Sequence, residues 1–183
     1  PRNPRDAVRP GVALIAEDRQ HHALALRLPI AFNISLAHLG SVSRAGFLQK
    51  QAESALCSEY RERLRIKYDK PSQWAGRLSG GNQQKIVIAK WIARGARVFL
   101  FDEPTRGIDV GAKQEVFEQM DQLAKAGAAI LMVSSELPEL VQVADRILVM
   151  RQGTLAGELP GRTTQEEIMR LAAFDDGGRT VQA

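Results

Sequence analysis

Two short segments hold most of the residues able to do chemistry: Leu78 to Lys85, LSGGNQQK, and Val98 to Lys113, VFLFDEPTRGIDVGAK. In the first, Ser79 stands at an N-cap position, and Gly80 and Gly81 have no Cβ, so backbone N–H groups can approach a ligand closely. A helix starting there adds partial positive charge, and the combination suits an anion, most naturally a terminal phosphate. In the second, Asp102 and Glu103 end a short apolar run, the place where open α/β sheets bind ligands. Asp102 is placed to hold Mg²⁺ through water, and Glu103, one residue on, to polarise an attacking water. Asp109 follows the Gly107 turn, where it can cap the next helix or reach across an interface. Either segment alone is a weak signal. Their order, and the 22 positions from Gly80 to Asp102, make a strong one.

The elements that must position these residues follow from apolar patterning. Val12 to Ala16 reads as a buried strand ending in Glu17-Asp18-Arg19. Residues from about 20 to 96 read as mostly helical, with Arg61 to Lys70 left open because Leu64, Ile66 and Tyr68 alternate. Gln83 to Arg94 lacks Pro and Gly, is apolar on more than one face, and is expected to be well buried, with Gly95 at the position that ends a helix. Val98 to Phe101 and Ala129 to Val133 are further buried strands, with a helix from about Val116 to Ala124 between them. A short helix at Glu139 to Ala144, a run at Ile147 to Met150, a Gly153 turn and a final amphipathic helix complete the order. That helix is expected to start at Thr163 or Thr164, with Glu166 or Glu167 completing a capping box. Apolar strands alternating with helices predict a parallel sheet covered on both faces.

Composition sets the outer bounds. Of 183 residues, 44% are hydrophobic and 25% charged, which excludes a disordered, collagen-like or coiled-coil chain. Lys+Arg 25 against Asp+Glu 21 leaves +4, which permits an anionic partner without demanding one. The single cysteine, Cys57, allows no intramolecular disulfide and fits a reducing compartment. No apolar run approaches the ~18 residues of a membrane span. The opening PRNPRDAVRP is polar and basic, unlike a signal peptide, and lacks Met, so a fragment or processed product is expected.

Taken together, the two segments resemble the ABC ATPase family, in which an LSGGQ-type signature precedes Walker B, its catalytic glutamate and a D-loop. LSGGNQQK with DEPTRGIDVGAK and VSSELPEL looks more closely like the C-terminal nucleotide-binding half of the tandem ATPase subunit of bacterial sugar importers, the ribose/galactose/xylose type. The resemblance runs from about Gly11 to Ala173. It implies an α/β fold, a P-loop-type ATPase core with a partial parallel sheet and flanking helices, plus an α-helical subdomain. On that reading 11–19 and 97–160 form the core, about 20–96 the helical subdomain, and 161–183 a C-terminal helix and tail. Ser79, Gly80, Gly81, Asn82 and Gln83 become signature residues that contact ATP, Asp102 and Glu103 the Walker B pair with Mg²⁺ on Asp102, and Asp109 a D-loop residue. Implied partners are a second nucleotide-binding half, membrane permease subunits and, indirectly, a periplasmic sugar-binding protein. The expected location is the cytoplasmic face of the inner membrane, peripherally bound.

The sequence departs from that pattern in three ways. A P-loop needs G-x-x-x-x-G-K-[ST], and no Gly-Lys dipeptide occurs in the chain. In the family that loop precedes the strand at Val12, so it is expected upstream of Pro1. This chain alone is then expected to be inactive, with a sheet edge and an apolar face exposed. Glu17 stands at the family's Q-loop position, and Ser135 at its switch-histidine position. Serine keeps hydrogen bonding but cannot carry positive charge, which implies that the site on this half's own motifs is the weaker of two. An alternative is a non-hydrolytic domain that supplies only its signature. A translation-type ABC protein is disfavoured by TRGI at Thr105 to Ile108, where that class has TNHL. A repair-type protein would need a long coiled-coil insertion. His21 and His22 read as solvated loop residues, His38 as structural and Trp74 as core. The basic run from Arg61 reads as a solvated face rather than a nucleic-acid site.

Overall fold

In the computed structural model, residues 2–173 are described, so the part of the expected tail from 174 to 183 lies outside them. The chain divides into two compact units, Pro1–Val133 and Ser134–Ala183.

The first unit is built on three parallel strands, β1 (Val12–Ile15), β4 (Val98–Asp102) and β5 (Ala129–Val133), in the order β1-β4-β5. Between β1 and β4 lie α2 (Ile30–Ser35), β2 (Ser43–Arg44), β3 (Phe47–Leu48), α3 (Lys50–Arg63) and α4 (Gly80–Ala93); α5 (Val110–Lys125) links β4 to β5. A short α1 (Pro4–Val8) precedes β1, with Pro4 in its first turn and Asn3 accepting from the Asp6 N–H at 3.1 Å. Register pairs Leu14 with Leu100 and Leu100 with Leu131, and Asp102 with Val133, so the carboxyl ends of all three strands share one edge.

Residues on one face of this sheet are buried: Ala13, Ile15, Phe99 and Phe101, on the side where α4 and α5 pack. Phe99 and Phe101 stack with ring centroids 6.1 Å apart. The other face is open, with Leu14 53%, Leu131 53% and Val133 56% exposed. The expectation of a sheet covered on both faces therefore fails for these residues. The expected exposed apolar face is present.

α4 is the central helix. Ile86, Val87, Ile88 and Ala89 are fully buried, which is why its apolar residues run round more than one face. Each of the three larger side chains contributes about 1.5–3 kcal/mol by leaving water. The helix ends as its sequence implies, with Gly95 in the left-handed region at φ +82°.

The stretch from 20 to 96 is not helical throughout. Residues Ala45 and Gly46 form a tight turn between β2 and β3, an antiparallel pair. α3 ends in a turn at Leu64 and Arg65, with Arg65 left-handed at φ +50° and the Ile66 N–H donating to the Arg61 carbonyl at 2.9 Å; Leu64, Ile66 and Tyr68 are buried while Arg65 and Lys67 are not. The alternation at 64–68 thus comes from a helix-ending turn and the irregular segment after it, not from a strand. Buried Asn33 fixes the preceding loop by accepting from the Ala25 N–H at 2.8 Å and donating to the carbonyls of Ala25 and Pro29.

The second unit holds α6 (Leu137–Val143), an antiparallel pair β6 (Arg146–Arg151) and β7 (Thr154–Pro160), and α7 (Gln165–Ala173). Ile147, Val149 and Ile168 form its core, covered by Leu140, Leu159 and Leu171. The capping box is made by Thr164 and Glu167: the Thr164 N–H donates to the Glu167 carboxylate at 3.1 Å, and the Glu167 N–H to the Thr164 hydroxyl at 3.2 Å.

Candidate functional site

The site begins where β4 ends. Asp102 is the last residue of that strand and is half-buried. Glu103 follows with φ +45°, a left-handed conformation that a residue with a side chain adopts at a cost of about 1–2 kcal/mol. Its N–H donates to the Val133 carbonyl at 2.9 Å, so the strained residue is tied to the neighbouring strand. The chain then turns through Pro104 to Ile108, with Arg106 N–H to Glu103 O at 3.1 Å and Ile108 N–H to Thr105 O at 3.2 Å. Gly107, at φ +67°, supplies the left-handed step of that turn. Asp109 caps α5, its carboxylate accepting from the Ala112 N–H at 2.9 Å.

The first turn of α4 lies against this turn. Ser79 occupies the N-cap position, yet its side chain makes no capping bond, so it does not satisfy the first-turn N–H groups. Its hydroxyl instead accepts from Asn82 Nδ2 at 2.9 Å, while Asn82 Oδ1 accepts from the Lys67 N–H at 2.8 Å. Gln83 is buried and donates to the Leu78 carbonyl at 3.1 Å.

The two glycines are required by packing inside the chain. A Cβ on Gly80 would lie 2.6 Å from Arg19 Nη2 and 3.1 Å from the Gly107 carbonyl. One on Gly81 would lie 2.6 Å from Ala112 Cβ. Their small size therefore seats the helix on the Gly107 turn and on α5, beyond the close ligand approach inferred from the sequence.

Of the three buried cations among the described residues, Arg19, Lys85 and Lys90, none was foreseen from the sequence, and two tie the elements of this site together. Arg19 is 8% exposed, although Glu17-Asp18-Arg19 looks like a solvated charge cluster. Its Nη1 donates to the Arg106 carbonyl at 3.0 Å and its Nη2 to the Gly107 carbonyl at 3.3 Å. Burial draws its pKa below the usual arginine value. Arg106 in turn forms an ion pair with Glu17, so the Q-loop position is tied to the Gly107 turn. Lys85 is the second. It donates to the Arg65 carbonyl at 3.1 Å and pairs with Glu115 of α5 at 2.8 Å, which holds the Glu115 carboxyl below its ordinary range. No spacing rule marks either residue, because both act through partners distant in sequence.

An open cleft of about 880 Å³ adjoins Ser79 and Asn82, with Arg61, Arg65, Lys67 and Arg77 among its lining residues and Glu62 and Asp69 as its acids. Part of the basic run thus lines a cleft. Arg61 is also anchored, stacked 4.5 Å from the Tyr68 ring centroid and donating to the Tyr68 carbonyl. Trp74 is not in the core: it is 51% exposed, with Arg77 over its ring at 5.6 Å. The His21 main-chain N–H donates to Asp18 at 3.0 Å and its ring contacts Asp18 at 2.7 Å, and together they hold the Asp18 carboxyl low. Ser135 lies in the second compact unit, two residues past the end of β5 in the chain. Among the described residues no group of three or more His, Cys, Asp or Glu side chains is arranged to hold a metal ion.

A strand ending in Asp102-Glu103, a turn, and a glycine-led helix packed on that turn are features of an ATP-binding cassette. The chain belongs to the ABC transporter family, whose model matches residues 5–106. It is 49% identical over 179 residues to the ribose import ATP-binding protein RbsA of Bacillus licheniformis, covering 97% of this chain and 36% of the relative. It is 48% identical to a putative ribose/galactose/methyl galactoside import ATP-binding protein of Burkholderia ambifaria, covering 93% of this chain and 34% of the relative. The chain thus spans about a third of the length of the curated relatives it matches. Among solved structures, it resembles the cassette MJ1267 in its ADP conformation, with TM-score 0.68, 19% identity, and coverage of 92% of this chain and 66% of that one. It also resembles dimeric MJ0796 bound to ADP and Pi, with TM-score 0.66, 18% identity, and coverage of 84% and 64%. Both likenesses concern the fold.

Proposed function

We propose that this chain is part of the C-terminal nucleotide-binding half of an ATPase that powers sugar import through an ABC transporter. The observation that carries the reading is the seating of the Ser79–Gly81 helix start on the turn that links Glu103 to Asp109. That contact packs the helix start, which we read as anion-binding, against the turn that follows the carboxylate-bearing end of β4.

The residues fit half of a nucleotide site each way. The first turn of α4 offers N–H groups that the Ser79 side chain does not cap, which fits a phosphate. Asp102 fits a Mg²⁺ shared with water and phosphate oxygens, the usual setting for an ion that takes few protein carboxylates. A G-x-x-x-x-G-K-[ST] cradle is not among these residues. MgATP, when bound, supplies the phosphoryl group and shields the charge on its own oxygens.

In this reading Glu103 holds and polarises the attacking water. Ser135, which we assign to the family's switch-histidine position, offers a hydrogen bond but no positive charge. Ser79, Gly80, Gly81, Asn82 and Gln83 cap ATP held by a partner half, with Asp109 on the partner-facing side. Residues 20–96 form the subdomain that faces permease subunits. No described helix is long and apolar enough to cross a membrane; the attachment in this reading is peripheral, at the cytoplasmic face. The neutral Ser135 favours one second reading, a non-hydrolytic half that supplies only its signature. Expressing the complete reading frame that contains these residues with its permease, then measuring ATP turnover, tests the proposal. Sugar-stimulated turnover supports it, and no turnover contradicts it.

A further inference from the structure

We propose that Arg19 is a positioning residue: its guanidinium fork clamps the Arg106–Gly107 turn onto the first turn of α4 and so sets Asp109 and Ser79 relative to each other. The proposal rests on the ATPase reading, since it assigns this clamp a role in turnover.

Three independent features of the structure converge on Arg19. Its two terminal nitrogens donate to two successive carbonyls, Arg106 O at 3.0 Å and Gly107 O at 3.3 Å, across 87 and 88 positions of sequence. A planar fork spans two such acceptors in fixed geometry, whereas a lysine ammonium is a point donor. The same Nη2 fills the space that a Gly80 Cβ would occupy, at 2.6 Å, so the guanidinium is sandwiched between the helix start and the turn. The loop that carries Arg19 is itself held at both ends of this contact: Glu17 pairs with the Arg106 side chain, and Gln20 Nε2 donates to Gln83 Oε1 at 3.4 Å. Asp18 anchors that loop by accepting from the N–H groups of Gln20 and His21. The segment after β1 therefore grips the signature helix and the D-loop turn at once. A movement of this loop moves both.

None of Arg19's hydrogen-bond partners is a carboxylate; both are main-chain carbonyls. Its role is geometric, which predicts how its variants behave. Amide hydrogen exchange on the purified 183-residue chain reads the clamp directly, without nucleotide. Arg19→Met is expected to speed exchange at Ile108 and Ala112 by ~10-fold or more, while Ile86 to Ala89 in α4 stay within about twofold, the pattern of a local opening. Arg19→Lys is expected to fall between. Gly80→Ala should loosen the same amides in the unsubstituted chain, because its Cβ displaces the fork, but should add less in the Arg19→Met background, where only the 3.1 Å approach to the Gly107 carbonyl remains. In the complete protein with its permease, Arg19→Lys is expected to lower kcat while KM for MgATP stays within about twofold; loss of folded protein would lower apparent kcat in the same way and is told apart by the global exchange increase it brings. Unchanged exchange at Ile108 and Ala112, a uniform increase through α4, or additive effects of Gly80→Ala and Arg19→Met would each overturn the clamp. The exchange measurement stands apart from turnover, so its failure is distinguishable from failure of the ATPase reading.

Discussion

Lys85 shows how a single buried charge is tolerated here. Its ammonium, almost wholly buried, is satisfied by the Arg65 carbonyl and by Glu115, whose own side chain remains 43% exposed. Removing one partner of such a pair leaves the other uncompensated, which costs more than the pair itself contributes. The pair also fixes a pH dependence. The Glu115 carboxyl is lowered from 4.5, chiefly by its hydrogen bond to Lys85, so the folded state binds its proton less readily than the unfolded chain. The resulting stabilisation is present above the unfolded value and is lost as pH falls through the lowered folded value. Lys85→Met keeps the volume and removes the charge. Urea unfolding at neutral pH and near pH 3.5 should show a smaller acid-induced loss in the variant than in the parent chain. Equal losses would show that the pair does not set this part of the pH profile. Arg19 and Lys85 were illegible in the sequence for one reason: a buried cation is recognised by its acceptors, and these acceptors lie in segments far along the chain.

At the scale of elements, what the sequence makes legible is what is local. Gly95 ends α4, Asp109 caps α5, and Thr164 with Glu167 opens α7, each through contacts within a few residues. The hairpin at Ser43 to Leu48 was missed because its strands are two residues each and show no alternation to count. The alternation at Leu64, Ile66 and Tyr68 was visible but could not be assigned without knowing that all three turn inward. The glycines of LSGG were legible as small residues, while the reason for their size needed Ala112 and Arg19 in place. This changes how the signature can be probed: Gly81→Asp would first collide with Ala112 of α5. In the second unit, Gly161 is the more demanding position. A Cβ there would lie 1.7 Å from the Ala144 carbonyl oxygen, and the Gly161 N–H donates to Asp145 O at 2.9 Å. Gly161→Ala must move backbone, at a cost of about 1–3 kcal/mol, the usual range for overpacking. Amide exchange in β6 and β7 should rise accordingly. Unchanged protection there would mean that the Ala144–Gly161 contact relaxes freely.

For the molecule as a whole, we read the start of α4 as a signature, β4 as a Walker B strand and the turn before α5 as a D-loop. The P-loop motif is not among the 183 residues. This chain by itself is therefore expected to bind MgATP weakly and not to hydrolyse it. Calorimetric titration should give no micromolar site; binding of about −8 kcal/mol would contradict this.

The central claim, that the start of α4 faces phosphate and matters more for turnover than Glu103, is tested most directly by comparing two variants in the complete protein with its permease. Asp is a favoured N-cap residue, so Ser79→Asp keeps α4 and its melting temperature while setting a carboxylate where a phosphate should sit. Glu103→Gln removes the carboxylate that we assign to the attacking water, in a half whose switch-histidine position we read as Ser135. Steady-state ATP turnover should fall ~10²-fold or more in Ser79→Asp, the scale on which loss of a positioned catalytic group is felt, and should keep a substantial fraction in Glu103→Gln. Full turnover in Ser79→Asp, or equal losses in the two variants, would contradict the account.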